Sequence, residues 1–107
     1  MLTKKTAIER VRCFARELKD AGLHLRKVIL YGSYANGQPH KWSDIDVIMV
    51  ADEFTGIGFR DADYFARINN KKPYVSIETK TYSPFWFSHG DPFVDEIKRT
   101  GIEIKLD

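Results

Sequence analysis

The chain has 107 residues, of which 43% are hydrophobic and 30% charged, with seven Phe, five Tyr and two Trp. This composition suits one globular domain spanning residues 1–107 and argues against a disordered chain. A formal net charge of +2 gives little basis for a strongly nucleic-acid-binding surface, and the single cysteine, Cys13, cannot form an intrachain disulfide.

That lone thiol fits a reducing cytoplasm. No apolar run follows Met1–Lys5, so no secretory signal is visible, and no stretch approaches the ~18 apolar residues of a membrane span. Residues 6–21 have helical periodicity, with Ile8, Val11, Phe14, Ala15 and Leu18 on one side and charges opposite. Gly22 stops that helix. Lys27 to Tyr31 reads as a short apolar strand that ends at Gly32-Ser33, and Tyr34 to Gly37 has room for one helical turn. A loop from Gln38 to Ser43 leads into a second strand, Asp44 to Val50. Beyond it, Gly56 and Gly58 break any regular element, Asp61 to Ile68 has the pattern of a short helix, and Asn69 to Pro73 reads as loop. Tyr74 to Tyr82 reads as a third strand and Pro84 to Phe87 as a helical turn. Pro92 to Arg99 reads as a helix capped by Asp91 and closed by Gly101, and Ile102 to Lys105 as a terminal strand. The order predicts an α/β (α+β) protein: a mixed sheet of about four strands with helices packed on it.

The informative segment joins Gly32-Ser33 to Asp44-Ile45-Asp46 through ten intervening residues. A strand ending in Gly-Ser and entering a helical turn offers backbone N–H groups and a hydroxyl at one spot, which favours phosphate. Asp44 and Asp46 alternate with core residues, so both carboxylates share one strand face with α-carbons ~7 Å apart. Two such acids repel each other unless a cation binds between them. Mg²⁺ suits them, being a hard ion often held by one or two carboxylates together with substrate phosphates. An isolated Asp-x-Asp is more often a solvated strand end. The Gly-Ser turn upstream reverses that weighting.

Together these residues closely resemble the signature of the nucleotidyltransferase superfamily that includes DNA polymerase beta, and the short chain resembles its minimal branch. The resemblance implies a nucleotidyltransferase fold and transfer of a nucleotidyl group, AMP from ATP, to an acceptor. It assigns the triphosphate to Gly32, Ser33 and Ser43, and two Mg²⁺ ions (or Mn²⁺) to Asp44 and Asp46. The family supplies a third carboxylate from a neighbouring strand, for which Glu78 is the best match; otherwise Glu78 would be a solvated residue beside Lys80. The chain departs from the family at Glu78, where relatives often carry Asp, and at Asn36, where they often carry a basic residue. In the minimal branch the frequent partner is a HEPN-domain toxin that the nucleotidyltransferase neutralises, in some pairs by adding AMP to a tyrosine.

Competing readings are an inert antitoxin shell that neutralises its partner by occlusion, a small-molecule nucleotidyltransferase, and a template-directed polymerase. Retention of Gly32, Ser33, Asp44 and Asp46 argues against the first. The second usually has an added helical domain, and the third needs a basic duplex site. A homo- or hetero-oligomer is compatible with any of them. His40 and Trp42 could stack on a base or act as a packing lid. His24 and His89 lack metal-ligand spacing. The cluster Tyr82 to Phe87 is expected to be part core and part surface, with Trp86 partly exposed. Cys13, on or near the apolar side of the first helix, is expected to be a buried thiol without a catalytic task.

Overall fold

The computed structural model describes residues 2–39 and 44–106. Its elements run α1 (Lys4–Asp20), β1 (Leu25–Tyr31), β2 (Ile45–Ala51), α2 (Gly58–Asp61) and a 3₁₀ turn (Ala62–Tyr64). They continue with α3 (Ala66–Asn69), a second 3₁₀ turn (Lys72–Tyr74), β3 (Ile77–Tyr82), α4 (Pro84–His89), α5 (Pro92–Thr100) and β4 (Ile102–Glu103). The four strands form one mixed sheet in the order β3-β2-β1-β4, with β2 parallel to β3 and the other pairs antiparallel. The architecture is the α+β arrangement that the pattern predicts.

Helix α1 begins where Thr3 and Thr6 cap each other reciprocally, the Thr6 N–H donating to Thr3 Oγ1 and the Thr3 N–H to Thr6 Oγ1. Its stripe of Ala7, Val11, Phe14, Ala15 and Leu18 is buried against the sheet. Each large aliphatic or aromatic side chain buried there contributes roughly 1.5–3 kcal/mol. Gly22, at φ 104°, takes the left-handed turn that releases the chain into β1. Cys13 corrects the expectation, since it is exposed. At 3.6 residues per turn it stands about 140° round the helix from the centre of the buried stripe.

Strand alternation gives the sheet two covered faces. Val28, Leu30, Ile45, Val47, Met49 and Ile77 point towards α1, whereas Ile29, Ile48 and Val50 point towards Phe87 of α4 and Val94 and Ile97 of α5. Because β2 and β3 are parallel, the chain must cross from one end of the sheet to the other between them. A buried carboxylate fixes that crossover. Asp61 is 1% exposed and accepts hydrogen bonds from the Thr55 N–H (2.8 Å), the Thr55 hydroxyl (3.0 Å), the Gly56 N–H (2.9 Å) and the Thr81 hydroxyl (2.7 Å). Burial works to raise its pKa, but these donors outweigh burial and hold it below the ordinary aspartate value.

The predicted helix from Asp61 to Ile68 is therefore broken into short turns, and Tyr64 lies on the surface rather than on an apolar side. The third strand is also shorter than predicted. Tyr74 leaves the strand because its ring packs 5.3 Å from that of Phe14 and its hydroxyl donates to Glu17, tying the segment to α1. Smaller differences extend β1 back to Leu25 and α4 on to His89, and start β2 at Ile45 with Asp44 just before it. The terminal strand shortens to Ile102–Glu103, although the Ile104 N–H still donates to the Val28 carbonyl at 2.8 Å.

Candidate active site

Three segments distant in sequence meet at one end of the sheet: the end of β1, the start of β2 and the first half of β3. Tyr31 pairs with Asp46 across β1 and β2, and Asp46 pairs with Glu78 across β2 and β3. Asp46 is thus the middle of a row. Asp44 lies at the mouth of β2, exposed, and hydrogen-bonds to the Glu78 carboxyl.

The electrostatics are those of acids crowded together. Partial burial raises the Asp46 pKa first, and the Asp44 charge raises it further. Glu78 is raised mainly by its bond to Asp44 and the Asp44 charge, then by burial and the Asp46 charge. Burial also raises the Tyr31 phenol, with added contributions from Asp46, Glu78 and Tyr82.

Gly32 belongs to the same construction. Its φ is 76°, and a Cβ built there would stand 2.4 Å from Asp46 Oδ2. Glycine therefore allows the left-handed backbone and leaves room for the carboxylate. Ser33 follows, and the chain turns at once: the Asn36 N–H donates to the Gly32 carbonyl and the Gln38 N–H to that of Ser33, both at 3.0 Å. Tyr34, 2% exposed, anchors this turn in the core. The single turn expected after Gly32-Ser33 is present, and free N–H groups at such a turn favour an anion.

Gly32, Ser33, Asp44, Asp46 and Glu78 are thus brought to one place. Ser43 lies outside the described residues, as do His40 and Trp42. The donor set is all oxygen, the chemistry of a hard divalent cation. Among the described residues no group of three or more His, Cys, Asp or Glu side chains is gathered so as to hold a metal ion by itself. Mg²⁺ needs no such group, since it retains waters and takes one or two carboxylates with substrate phosphates. The residues fit that ion.

Sequence reasoning missed the site's rim. The Phe93 ring lies 5.6 Å from that of Tyr31, nearly perpendicular, and Lys80 Nζ sits 4.5 Å from the Phe93 ring centroid. Tyr31 was readable from strand alternation. Phe93 had no local signal, because its place depends on how α5 crosses the sheet. His24 pairs with Glu53, its Nδ1 2.6 Å from Oε2, and His89 stacks on Phe85. Phe87 is buried while Phe85 and Trp86 are exposed, the mixed use expected of that aromatic cluster.

A four-stranded mixed sheet carrying clustered carboxylates beside a Gly-Ser turn defines the class of α+β protein to which the chain belongs. The chain belongs to the nucleotidyltransferase domain family, whose sequence profile matches residues 11–104. Its fold is shared with a protein from Sulfolobus solfataricus assigned as a nucleotidyltransferase, at a TM-score of 0.67 and 16% identity, over 94% of this chain and 80% of that one. It is similar also to a toxin–antitoxin structure determined with AMP-PNP, at 0.59 and 16%, over 90% and 73%. A third likeness is to a mutant of the toxin–antitoxin pair MntA–HpeT bearing two Asp-to-Glu substitutions, at 0.54 and 15%, over 99% and 75%. No curated protein sequence matches the chain. Among the described residues no helix is long and apolar enough to cross a membrane.

Proposed function

We propose that this domain transfers AMP from ATP to an acceptor hydroxyl, and that it is the antitoxin half of a toxin–antitoxin pair whose HEPN-domain partner carries the acceptor. The observation that carries the reading is the row Tyr31–Asp46–Glu78, with Asp44 bonded to Glu78 and Gly32 cut back to admit the Asp46 carboxylate. The toxin–antitoxin neighbours, one of them determined with AMP-PNP, support the nucleotide and partner parts of the proposal.

In this reading the Gly32 backbone and Ser33 hydroxyl receive the triphosphate. Asp44, Asp46 and Glu78 would hold two Mg²⁺ ions, with Mn²⁺ as a substitute. Bound there, divalent cations supply Lewis-acid charge to the phosphates and lower the pKa of the attacking hydroxyl. The acceptor oxygen attacks the α-phosphorus, the α–β P–O bond breaks, and pyrophosphate leaves. Glu78, the carboxylate on the neighbouring strand, would take the hydroxyl proton.

The test is incubation with the co-purifying partner and ATP labelled at either the α- or the γ-phosphate. The reading expects label from the α position in the partner, lost in Asp46→Asn. Transfer of γ label would refute it. A partner still suppressed by Asp44→Asn/Asp46→Asn, with no label transferred by the wild type, would instead establish neutralisation by occlusion.

A further inference from the structure

We propose that Lys80 binds the reacting α-phosphate of the nucleotide and that Phe93 positions it there, an inference that rests on the nucleotidyl-transfer reading above. The sheet face that bears the carboxylates is arranged in tiers. Tyr31, Asp46 and Glu78 lie side by side, and one pleat further Ile29, Ile48 and Lys80 lie on the same three strands. Ile29 and Ile48 are buried under the helices, so the second tier is apolar except for its lysine.

Lys80 sits on an edge strand, where a lysine ordinarily points into water and guards the open edge. Here the side chain, although exposed, ends against an aromatic ring. Its Nζ stands 4.5 Å from the Phe93 ring centroid, and Phe93 in turn contacts Tyr31 at 5.6 Å. Tyr31 is on β1 and Lys80 on β3, two strand spacings or ~9–10 Å apart, so the ring bridges the middle strand that carries Asp46.

The contact explains why Lys80 does not fall into the acids. Glu78 is two residues away on the same face, ~7 Å along the strand and within a lysine's span. Even so, among the described residues Lys80 forms no ion pair. The aromatic face holds the ammonium by cation–π attraction and leaves its charge for a ligand. The Gly32-Ser33 turn flanks Asp46 from β1 and Glu78 flanks it from β3, with Lys80 one pleat further along the same face. In this proposal a phosphoryl group lying over the carboxylates has the turn on the β1 side and meets the Lys80 ammonium from the next tier of β3. That is the group undergoing substitution, whose equatorial oxygens carry the charge of the transition state. In the same proposal the β- and γ-phosphates lie at the turn, on the β1 side, away from the lysine on β3.

The test is calorimetric titration of the full chain, in Mg²⁺, with ATP, AMP and pyrophosphate. Lys80→Ala should weaken ATP and AMP binding about ten-fold and leave pyrophosphate binding unchanged, and Lys80→Arg should restore it. Phe93→Leu keeps the apolar bulk but loses the ring, and should weaken both nucleotides about two- to five-fold, whereas Phe93→Tyr should not. Melting temperatures near wild type would exclude a folding defect, with Lys80→Gln as a second exposed-site variant. If Lys80→Ala binds all three ligands as wild type does, or loses pyrophosphate equally, the assignment is overturned while nucleotidyl transfer stands. A wild-type chain that binds no nucleotide overturns both.

Discussion

Replacing Gly32 by Ala should disable the nucleotide site, and Gly37→Ala supplies its internal control. The two glycines have nearly the same backbone, φ 76° and 74°. Holding alanine in that left-handed region costs about 1–2 kcal/mol at either position, a fall in melting temperature of roughly 5–15 °C for a domain of this size. What differs is the space. A Cβ at Gly37 meets nothing within 4 Å, whereas one at Gly32 stands 2.4 Å from Asp46 Oδ2 and 3.3 Å from its Cγ. Since non-bonded atoms settle at ~3.5 Å, the carboxylate must move by about 1 Å. A displacement of that size in a reacting group costs on the order of 100-fold. Differential scanning calorimetry should therefore report similar destabilisation for the two variants. Mg²⁺-dependent ATP titration should separate them, with Gly32→Ala weakened about 10- to 100-fold and Gly37→Ala close to wild type. Equal ATP affinity in the two variants would refute the idea that Gly32 exists to make room for Asp46.

Asp61→Ala leaves four donor contacts without their buried acceptor, so denaturant unfolding should show a loss of about 2–4 kcal/mol. Because the Asp61 pKa is lowered in the fold, its contribution is present above the unfolded aspartate value and is lost as pH falls through the folded one. Asp46 and Glu78 have the opposite sign. Their raised folded pKa values mean a penalty that is complete above the folded values and disappears as pH falls below the unfolded ones. Glu78→Gln should accordingly raise the melting temperature of the metal-free chain slightly at neutral pH while abolishing Mg²⁺-dependent ATP binding; a lowered melting temperature would contradict this electrostatic account. Exposed Cys13 should react with a thiol reagent in the folded protein, one equivalent per chain, without loss of helical circular dichroism.

The parts of this fold that a local pattern could reveal are those in which burial follows from local geometry. The stripe from Val11 to Leu18 and the alternation of Ile45, Val47 and Met49 are periodic because one face of each element meets the core. The segment from Asp52 to Tyr74 is different. Its path is set by Asp61 reaching back to Thr55 and forward to Thr81, and by Tyr74 reaching to Glu17. Contacts spanning 20 and 57 residues leave no trace in a window of ten. The same division holds at the candidate site. Gly32, Ser33, Asp44 and Asp46 stand in one short motif, and Glu78 follows from strand alternation. Phe93 arrives only through the crossing of α5 over the sheet, and the rim it forms with Lys80 was therefore invisible in the sequence.

The central claim is that Asp44 and Asp46 make a divalent-cation-dependent nucleotide site. Isothermal titration of the purified chain with ATP, with and without Mg²⁺ and beside Asp44→Asn/Asp46→Asn, tests it most directly. The account predicts saturable binding that requires the cation in the wild type and is lost in the folded double variant. Binding that ignores the cation, or that survives the loss of both carboxylates, would contradict it.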